Sequence, residues 1–201
     1  MRIAAIAAAI GLLATAAHAQ TARVGEPAPD FEARASDGAA VSLSDYEGQT
    51  VVLEWTNDGC PFVQKHYDSG NMQALQKRAD ADGVVWLSVI SSAPGQQGHV
   101  SGAEADALTA ERGAQPARVL LDEDGTVGRL YAAKTTPHMY VIDPGGTLAY
   151  AGAIDTIPSA DTADIARADN YVEAALRSVR AGEPVTVSRT QPYGCSVKYA
   201  S

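Results

Sequence analysis

The chain has 201 residues and a formal net charge of −9, because 24 acidic side chains outnumber 15 lysines and arginines. No basic run stands out, which argues against nucleic acid as a partner and against stable association with anionic membrane surfaces. There are only two cysteines, Cys60 and Cys195, so any thiol chemistry depends on these two side chains.

Residues 1–19 have the pattern of a secretory signal peptide. Arg2 gives a positive start, an apolar stretch too short to span a membrane follows, and Ala17-His18-Ala19 is a small-x-small cleavage site. A buried N-terminal helix is the alternative. The pattern predicts export, to the periplasm, where two cysteines can pair and stay paired.

The rest of the chain alternates between predicted strands and helices, which is typical of an α/β domain. We expect one domain over 20–182, followed by a tail, 183–201, that carries Cys195. In the first half of the chain the pattern predicts a hairpin around Ser36-Asp37-Gly38, a strand at 51–55 and a helix after Cys60 that Ser69-Gly70-Asn71 interrupts. A strand at 84–90, a helix at 103–112 that Ser101 caps and a strand at 118–121 follow. The last predicted elements are a short helix to Ala132, a hairpin around 143–146, and a long helix whose apolar face runs from Ile165 to Val179.

The most informative stretch surrounds Cys60. An apolar run at 51–55 predicts a buried strand, and the turn residues at 57–59 end it. Pro61 suits the first position of a helix, so Cys60 is expected where free N–H groups and the helix dipole favour an anion. Lys65, about one turn further on, would add positive charge and help to lower the thiol pKa. The alternative is a cysteine in an inert structural disulfide.

Three segments resemble parts of a known family: Gly25-Glu-Pro-Ala-Pro-Asp-Phe31 with Asp37-Gly38 and Leu43-Ser-Asp-Tyr46; Trp55 with Cys60-Pro61; and Thr136-Pro137 before a Tyr-Val-Ile-Asp strand. Over about residues 24–181 the chain resembles the alkyl hydroperoxide reductase/thiol-specific antioxidant group, the redoxins. The resemblance implies a thioredoxin-like α/β fold, with a central mixed sheet, helices on both faces and an N-terminal hairpin.

The same resemblance implies a site at the carboxyl edge of the sheet. Pro137 would be the cis-proline that faces the Cys60 sulfur and positions the substrate backbone. The residues that we place around the substrate cleft are Thr56, Pro61, Lys65 and Thr136.

The chain departs from the family patterns at several positions. Val63 stands where a thioredoxin has its second cysteine. Leu53 and Asn57 stand where a typical peroxiredoxin has a proline and a threonine, although Thr56 is one residue away. Arg118 is the only obvious substitute for the peroxiredoxin arginine. The Gly-Cys-Ser-Val-Lys-Tyr ending is most similar to the peroxiredoxin-like branch.

Three interpretations of Cys60 and Cys195 follow. In the first, Cys60 attacks the substrate as a thiolate, and Cys195, carried on a tail that must move, resolves the product. In the second, the two cysteines form a permanent structural disulfide. In the third, they never meet and Cys60 acts alone. The first predicts an exported thiol-disulfide oxidoreductase or peroxiredoxin-like antioxidant protein, an oxidoreductase without a cofactor. Its partner would be a thiol/disulfide redox protein or a peroxide.

Two further hypotheses concern side chains near Cys60. Glu54 interrupts an apolar strand, and a buried acid at similar spacing in thioredoxins handles a proton, so we expect a proton acceptor with a raised pKa. The alternative is a solvated side chain at the rim. His66 and His138 could join Cys60 in a copper or zinc site. The chain would then be a copper-binding carrier. A separate alternative is a non-enzymatic binding module with a structural Cys60–Cys195 disulfide.

Overall fold

The computed structural model describes residues 21–200, and the predicted signal peptide lies outside them. The strands and helices of this part of the chain are β1 (Glu32–Ala35), β2 (Ala40–Ser42), β3 (Val51–Trp55), α1 (Pro61–Asp68), α2 (Asn71–Ala81), β4 (Val85–Ile90), α3 (Gly102–Glu111), β5 (Arg118–Leu121), α4 (Thr126–Leu130), β6 (Thr135–Thr136), β7 (His138–Ile142), β8 (Leu148–Gly152), α5 (Tyr171–Ala181) and β9 (Cys195–Ser196), with 3-10 helices at Leu43–Tyr46 and Thr162–Arg167.

A seven-stranded mixed sheet forms the centre of the molecule, in the order β2-β1-β5-β4-β3-β7-β8. The strands β3, β4 and β5 are parallel, whereas β1 and β7 pair with this group in the antiparallel sense. The β1–β2 hairpin lies at one edge. This arrangement confirms the thioredoxin-like α/β fold with an N-terminal hairpin that the sequence predicted.

Strand β3 is buried along its whole length and separates two apolar layers. Val51, Leu53 and Trp55 pack with the N-terminal segment and α4 on one face. Val52 packs on the other face with side chains of α1, α2 and α5. Because side chains alternate along a strand, Glu54 points into this second, helix-covered layer.

The structure confirms one of two predicted helix boundaries and corrects the other. The predicted interruption after Cys60 is confirmed, since Gly70 adopts φ 74° between α1 and α2. The prediction of one long C-terminal helix is wrong in its first part. Thr162–Arg167 is a 3-10 helix, and α5 begins only after Asn170, whose side chain accepts from the Glu173 N–H at 2.9 Å.

The C-terminal segment, 188–200, follows the surface of the domain and is bonded along its length; we call it the strap. The sequence predicts a mobile arm here, whereas the structure shows a segment that is hydrogen-bonded to the domain at several points. Its contacts are backbone bonds of Ser188 and Thr190 to Ala151, the β6–β9 pair, and backbone bonds of Val197 to Lys134 and of Lys198 to Ala93. Within residues 21–200, no helix is long and apolar enough to cross a membrane.

Candidate active site

Cys60 lies at the N-terminal cap of α1, where β3 has ended and Pro61 occupies the first turn. The preceding turn is closed by Asn57, whose side chain accepts from the Gly59 N–H at 3.0 Å and whose carbonyl accepts from the Cys60 N–H at 3.1 Å. The strand–turn–helix junction predicted from the sequence is therefore present. It leaves the Cys60 sulfur at the N-terminal end of α1, where the Val63 N–H helps to lower the thiol pKa.

The loop between β4 and α3, which the sequence predicts only as a segment that could shape the substrate cleft, holds this turn in place. Gln97 donates to the Gly59 carbonyl at 2.7 Å, and its own carbonyl accepts from the Asn57 amide at 3.1 Å. A Cβ at Gly98 would collide with the Asn57 side chain. The loop therefore fixes the backbone that presents Cys60, and the sequence signal for it is weak, one glycine in a Ser/Gly/Gln-rich stretch.

The strap brings Cys195 to Cys60. Strand β9 pairs with β6 so that Cys195 lies opposite Thr136, whose carbonyl accepts from the Cys60 thiol. The two thiols are close enough for each to shift the pKa of the other. A Cβ at Gly194 (φ 135°) would collide with the Thr136 carbonyl, so this close approach requires glycine. Both cysteines are free thiols in the structure, and Cys60 is fully buried while Cys195 is partly exposed.

The two thiols differ in acidity. Burial raises the pKa of the Cys60 thiol, but hydrogen bonds from the Cys195 thiol, the Thr136 hydroxyl and the N–H groups of Cys195 and Val63 outweigh it, so the pKa falls below its ordinary value. Burial and the neighbouring Cys60 raise the pKa of Cys195 to about 11. Of the pair, Cys60 is the thiol that loses its proton first.

The segment that faces Cys60 is the Thr136–Pro137 peptide, which is cis, as the family resemblance implied. The Thr136 carbonyl accepts from the Cys60 thiol at 3.0 Å. The Thr136 hydroxyl is buried without a hydrogen-bond partner within residues 21–200, and it is close enough to Cys60 to help lower the pKa of that thiol. Thr136 therefore serves both protonation states of Cys60, as an acceptor for the thiol and as a donor to the thiolate.

Lys65 does not act on Cys60 as the sequence predicted. It is buried, and its Nζ lies 3.2 Å from Asp155 Oδ2 and 3.0 Å from the Ile157 carbonyl. Tyr193 of the strap donates to the other Asp155 oxygen. The Lys65 charge is therefore matched by Asp155, and the low pKa of Cys60 comes from hydrogen bonds. Asp155 and Tyr193 are functional candidates that the sequence analysis missed.

The two histidines of the metal hypothesis have partners other than Cys60. Asn71 bonds His66 Nδ1 at 2.9 Å, and burial lowers the pKa of His66 to about 4. His138 Nδ1 contacts the Tyr140 hydroxyl at 3.0 Å, and burial lowers the pKa of His138 to about 3. Among residues 21–200, no group of three or more His, Cys, Asp or Glu side chains could hold a metal ion.

Glu54 is fully buried, so the alternative of a solvated rim position is wrong. Its carboxylate accepts four hydrogen bonds. The donors are the Tyr67 hydroxyl at 2.8 Å, the Trp86 indole at 2.8 Å, the Ser88 hydroxyl at 3.0 Å and the Gln76 amide at 3.4 Å. This environment suits a carboxylate that acts only as an acceptor. Proton transfer between Glu54 and Cys60 remains a prediction.

Thr56 lies beside a small cavity and not at the sulfur. Its side chain is buried without a hydrogen-bond partner in the described chain, and it lines a cavity of about 30 Å³ with Tyr67, Ser88 and Arg112. Cys60 does not line this cavity. Arg118, the expected substitute for the peroxiredoxin arginine, is exposed on β5.

Comparison with known proteins identifies the family. The model of the AhpC/TSA family matches residues 24–151, more than half of the chain. The chain belongs to the AhpC/TSA family. No curated protein matches it significantly. Its fold and the titles of its structural neighbours place it among thioredoxin-like redoxins related to thiol-disulfide oxidoreductases.

Three solved structures illustrate this similarity. An uncharacterized conserved protein from Geobacillus kaustophilus is 26% identical with a TM-score of 0.73, covering 89% of this redoxin and 93% of its own chain. A putative thiol:disulfide interchange protein DsbE from Chlorobium tepidum is 26% identical with a TM-score of 0.51, covering 64% and 83%. The exposed lipoprotein thioredoxin of Streptococcus pneumoniae is 25% identical with a TM-score of 0.50, covering 76% and 98%.

Proposed function

We propose that this redoxin is an exported thiol-disulfide oxidoreductase in which Cys60 and Cys195 form the redox pair. The observation that carries the proposal is their juxtaposition across the Thr136–Cys195 strand pair. The pair cycles between two thiols and one disulfide, a change of two electrons and two protons. Its partners are thiol or disulfide groups of redox proteins.

Thiol-disulfide exchange is favoured over peroxide reduction because of the turn before Cys60. Asn57 stands where a peroxiredoxin has the threonine that binds peroxide. Its side chain is already bonded to the Gly59 N–H and the Gln97 carbonyl. The Thr56 hydroxyl lies at a cavity that Cys60 does not line. Neither side chain donates a hydrogen bond to the Cys60 sulfur within residues 21–200.

Export rests on the signal-like pattern of residues 1–19 and on chemistry. A cysteine pair that works by cycling requires an oxidising compartment or a dedicated partner, and the periplasm supplies both. The exposed lipoprotein thioredoxin of Streptococcus pneumoniae shows that similar domains occur outside the cytoplasm. We therefore place the mature protein in the periplasm.

The reduction potential of the pair tests the function. The protein is equilibrated in a series of thiol redox buffers, alkylated and weighed by mass spectrometry, with Cys195→Ser as the control that cannot form the bond. We expect a two-electron transition at a potential above about −270 mV, in the range of working oxidoreductases. A bond that resists reduction to below about −300 mV would be a structural staple, and the proposal would be wrong.

A further inference from the structure

The two sulfurs of the pair are not equally accessible. Cys60 is 0% exposed, whereas Cys195 lies on the outer strand β9, next to the exposed Ser196. Disulfide exchange requires a thiolate to reach one sulfur directly, so access decides which sulfur is attacked. Of the two, Cys195 is the sulfur that a partner reaches without moving the protein.

The strap itself closes the approach to Cys60. The Tyr193 ring packs edge-on against Phe62, with centroids 5.9 Å apart, at the start of α1. Gly194 lies directly against the Thr136 carbonyl. A partner that attacks Cys60 would have to lift these residues, together with the β6–β9 pair, away from the domain.

Lifting the strap also breaks a buried polar contact. The Tyr193 hydroxyl donates to Asp155, and Asp155 is 3% exposed and paired with the buried Lys65. The Lys65 ammonium also lies over the Tyr193 ring, 5.7 Å from its centroid. Removing Tyr193 would take one of two donors from Asp155 Oδ1, which would keep only the Ile157 N–H at 2.9 Å, and loss of a hydrogen bond to a buried charged group is destabilising. We call the Tyr193–Asp155 contact the latch.

We infer that the partner thiol attacks Cys195, and that Cys60 is the buried leaving group. The inference rests on the proposed function and reverses the order in which Cys60 attacks first. The partner thiolate forms a bond to the Cys195 sulfur, the Cys60–Cys195 bond breaks, and its electron pair leaves on the Cys60 sulfur. A second partner thiolate then attacks the partner sulfur of the mixed disulfide, which forms the partner disulfide and releases Cys195 as a thiolate that takes a proton.

The acidities of the two thiols agree with this direction. Disulfide exchange is faster when the departing thiol has the lower pKa. In the mixed disulfide Cys195 no longer carries an S–H, but the Thr136 hydroxyl and the backbone N–H groups of Cys195 and Val63 still act to lower the pKa of the departing Cys60 thiol, whereas burial raises the pKa of Cys195. Attack at Cys195 expels the better leaving group, whereas attack at Cys60 would expel the worse one.

Mapping the first mixed disulfide tests the inference on the unmodified protein. The oxidised protein is mixed with reduced glutathione, stopped in acid at the earliest times, labelled with N-ethylmaleimide and mapped by peptide mass spectrometry. We expect glutathione on Cys195 and maleimide on Cys60, at least tenfold over the reverse. Glutathione on Cys60 would overturn the inference and leave the proposed function intact. A bond that exchanges only after denaturation in urea would overturn the proposed function as well.

A second measurement tests the latch. In Cys195→Ser, alkylation of Cys60 by iodoacetamide should be at least tenfold slower in the native protein than in urea. Adding Tyr193→Phe should raise the native rate at least threefold. Tyr171→Phe is the matched control, because Tyr171 stacks on Tyr150 and its hydroxyl has no bond within residues 21–200. If native Cys60 reacts as fast as Cys60 in urea, the strap does not block access to the sulfur. If Tyr193→Phe leaves the native rate unchanged, the latch does not hold the strap over the sulfur.

Discussion

Two carboxylates, Glu54 and Asp155, are equally buried in this redoxin but have different partners. Glu54 is 0% exposed and bonds only to side chains of β4, α1 and α2. Asp155 is 3% exposed and bonds to Lys65 on α1 and to Tyr193 on the strap. The first carboxylate holds the central layers together, whereas the second connects the last segment of the chain to the helix that carries Cys60.

Burial alone therefore does not determine the function of a carboxylate. The donors around Glu54 are neutral and all belong to the domain, so we expect removal of its carboxylate to lower stability. The partners of Asp155 are a buried cation and a strap residue two positions before Cys195. We therefore expect changes at Asp155 to move Cys195 as well as to lower stability.

The largest effect is expected from Glu54→Ala. Four donors would lose their acceptor inside the core, and each buried unsatisfied group costs about 1–3 kcal/mol. We expect the free energy of unfolding to fall by about 4 kcal/mol in urea titrations at pH 7. A loss under about 1 kcal/mol would mean that water or rearrangement satisfies these donors, and the comparison would fail.

Glu54→Gln separates stability from proton transfer at the same position. The variant keeps the shape and one acceptor oxygen but cannot take a proton from Cys60. If Glu54 is the proton acceptor, the pH profile of Cys60 alkylation should shift relative to wild type. An unchanged profile would limit Glu54 to a structural role.

A smaller loss is expected from Lys65→Met, which leaves Asp155 buried without its cation. Removing one partner of a buried ion pair costs about 3 kcal/mol. Because the strap is attached to the same carboxylate, native Cys60 should also become more reactive toward iodoacetamide. Lys77→Met, at an exposed position of α2, is the control and should change neither quantity. Lost stability without a change at Cys60 would mean that Asp155 does not hold the strap.

The local elements of the site were predictable, whereas its long-range contacts were not. The turn residues before Cys60 and the proline after it specify a strand–helix junction by local chemistry alone, and the structure agrees. Tyr193 and Asp155 are 38 residues apart in the sequence. The segment around Asp155 is a loop without a periodic pattern, so the sequence does not predict this contact. Its only sequence signal is a tyrosine two positions before a cysteine in the tail.

Periodicity alone places the start of the C-terminal helix too early. Ile165 and Ala168 fit the apolar spacing of α5, so the pattern predicts that they form its first turns. In the structure the 3-10 helix ends at Arg167, Ala168 is extended, and the Asn170 side chain accepts from the Glu173 N–H at the start of α5. An N-cap residue inside an apolar pattern marks a new helix start, because its side chain bonds an N–H that has no partner in a preceding turn.

Gly194→Ala tests the strap from the side of Cys195, where the domain core is not touched. At φ 135° a side chain is strained, and the added Cβ would collide with the Thr136 carbonyl. We expect a stability loss of about 2 kcal/mol and slower formation of the Cys60–Cys195 disulfide. Gly70→Ala is the matched control, since φ is 74° there but nothing lies within 4 Å of the new Cβ. Disulfide formation at the wild-type rate in Gly194→Ala would show that the close β6–β9 approach is not required.

The smallest effect is expected from the pH dependence that His66 contributes on the Asp155 side, in addition to the contribution of His138, whose pKa burial lowers to about 3. His66 Nε2 lies 3.8 Å from Asp155 Oδ2, and desolvation lowers the pKa of His66 to about 4 despite the attraction of that carboxylate. Below its ordinary pKa near 6.5, the unfolded chain binds a proton that the folded chain does not, so stability falls as the pH falls from about 6.5 toward 4. Between pH 7.5 and 5.5 this costs about 1 kcal/mol. Urea titrations of wild type and His66→Gln at both pH values measure the difference, and equal pH dependence in the two proteins would show that His66 is protonated in the folded state.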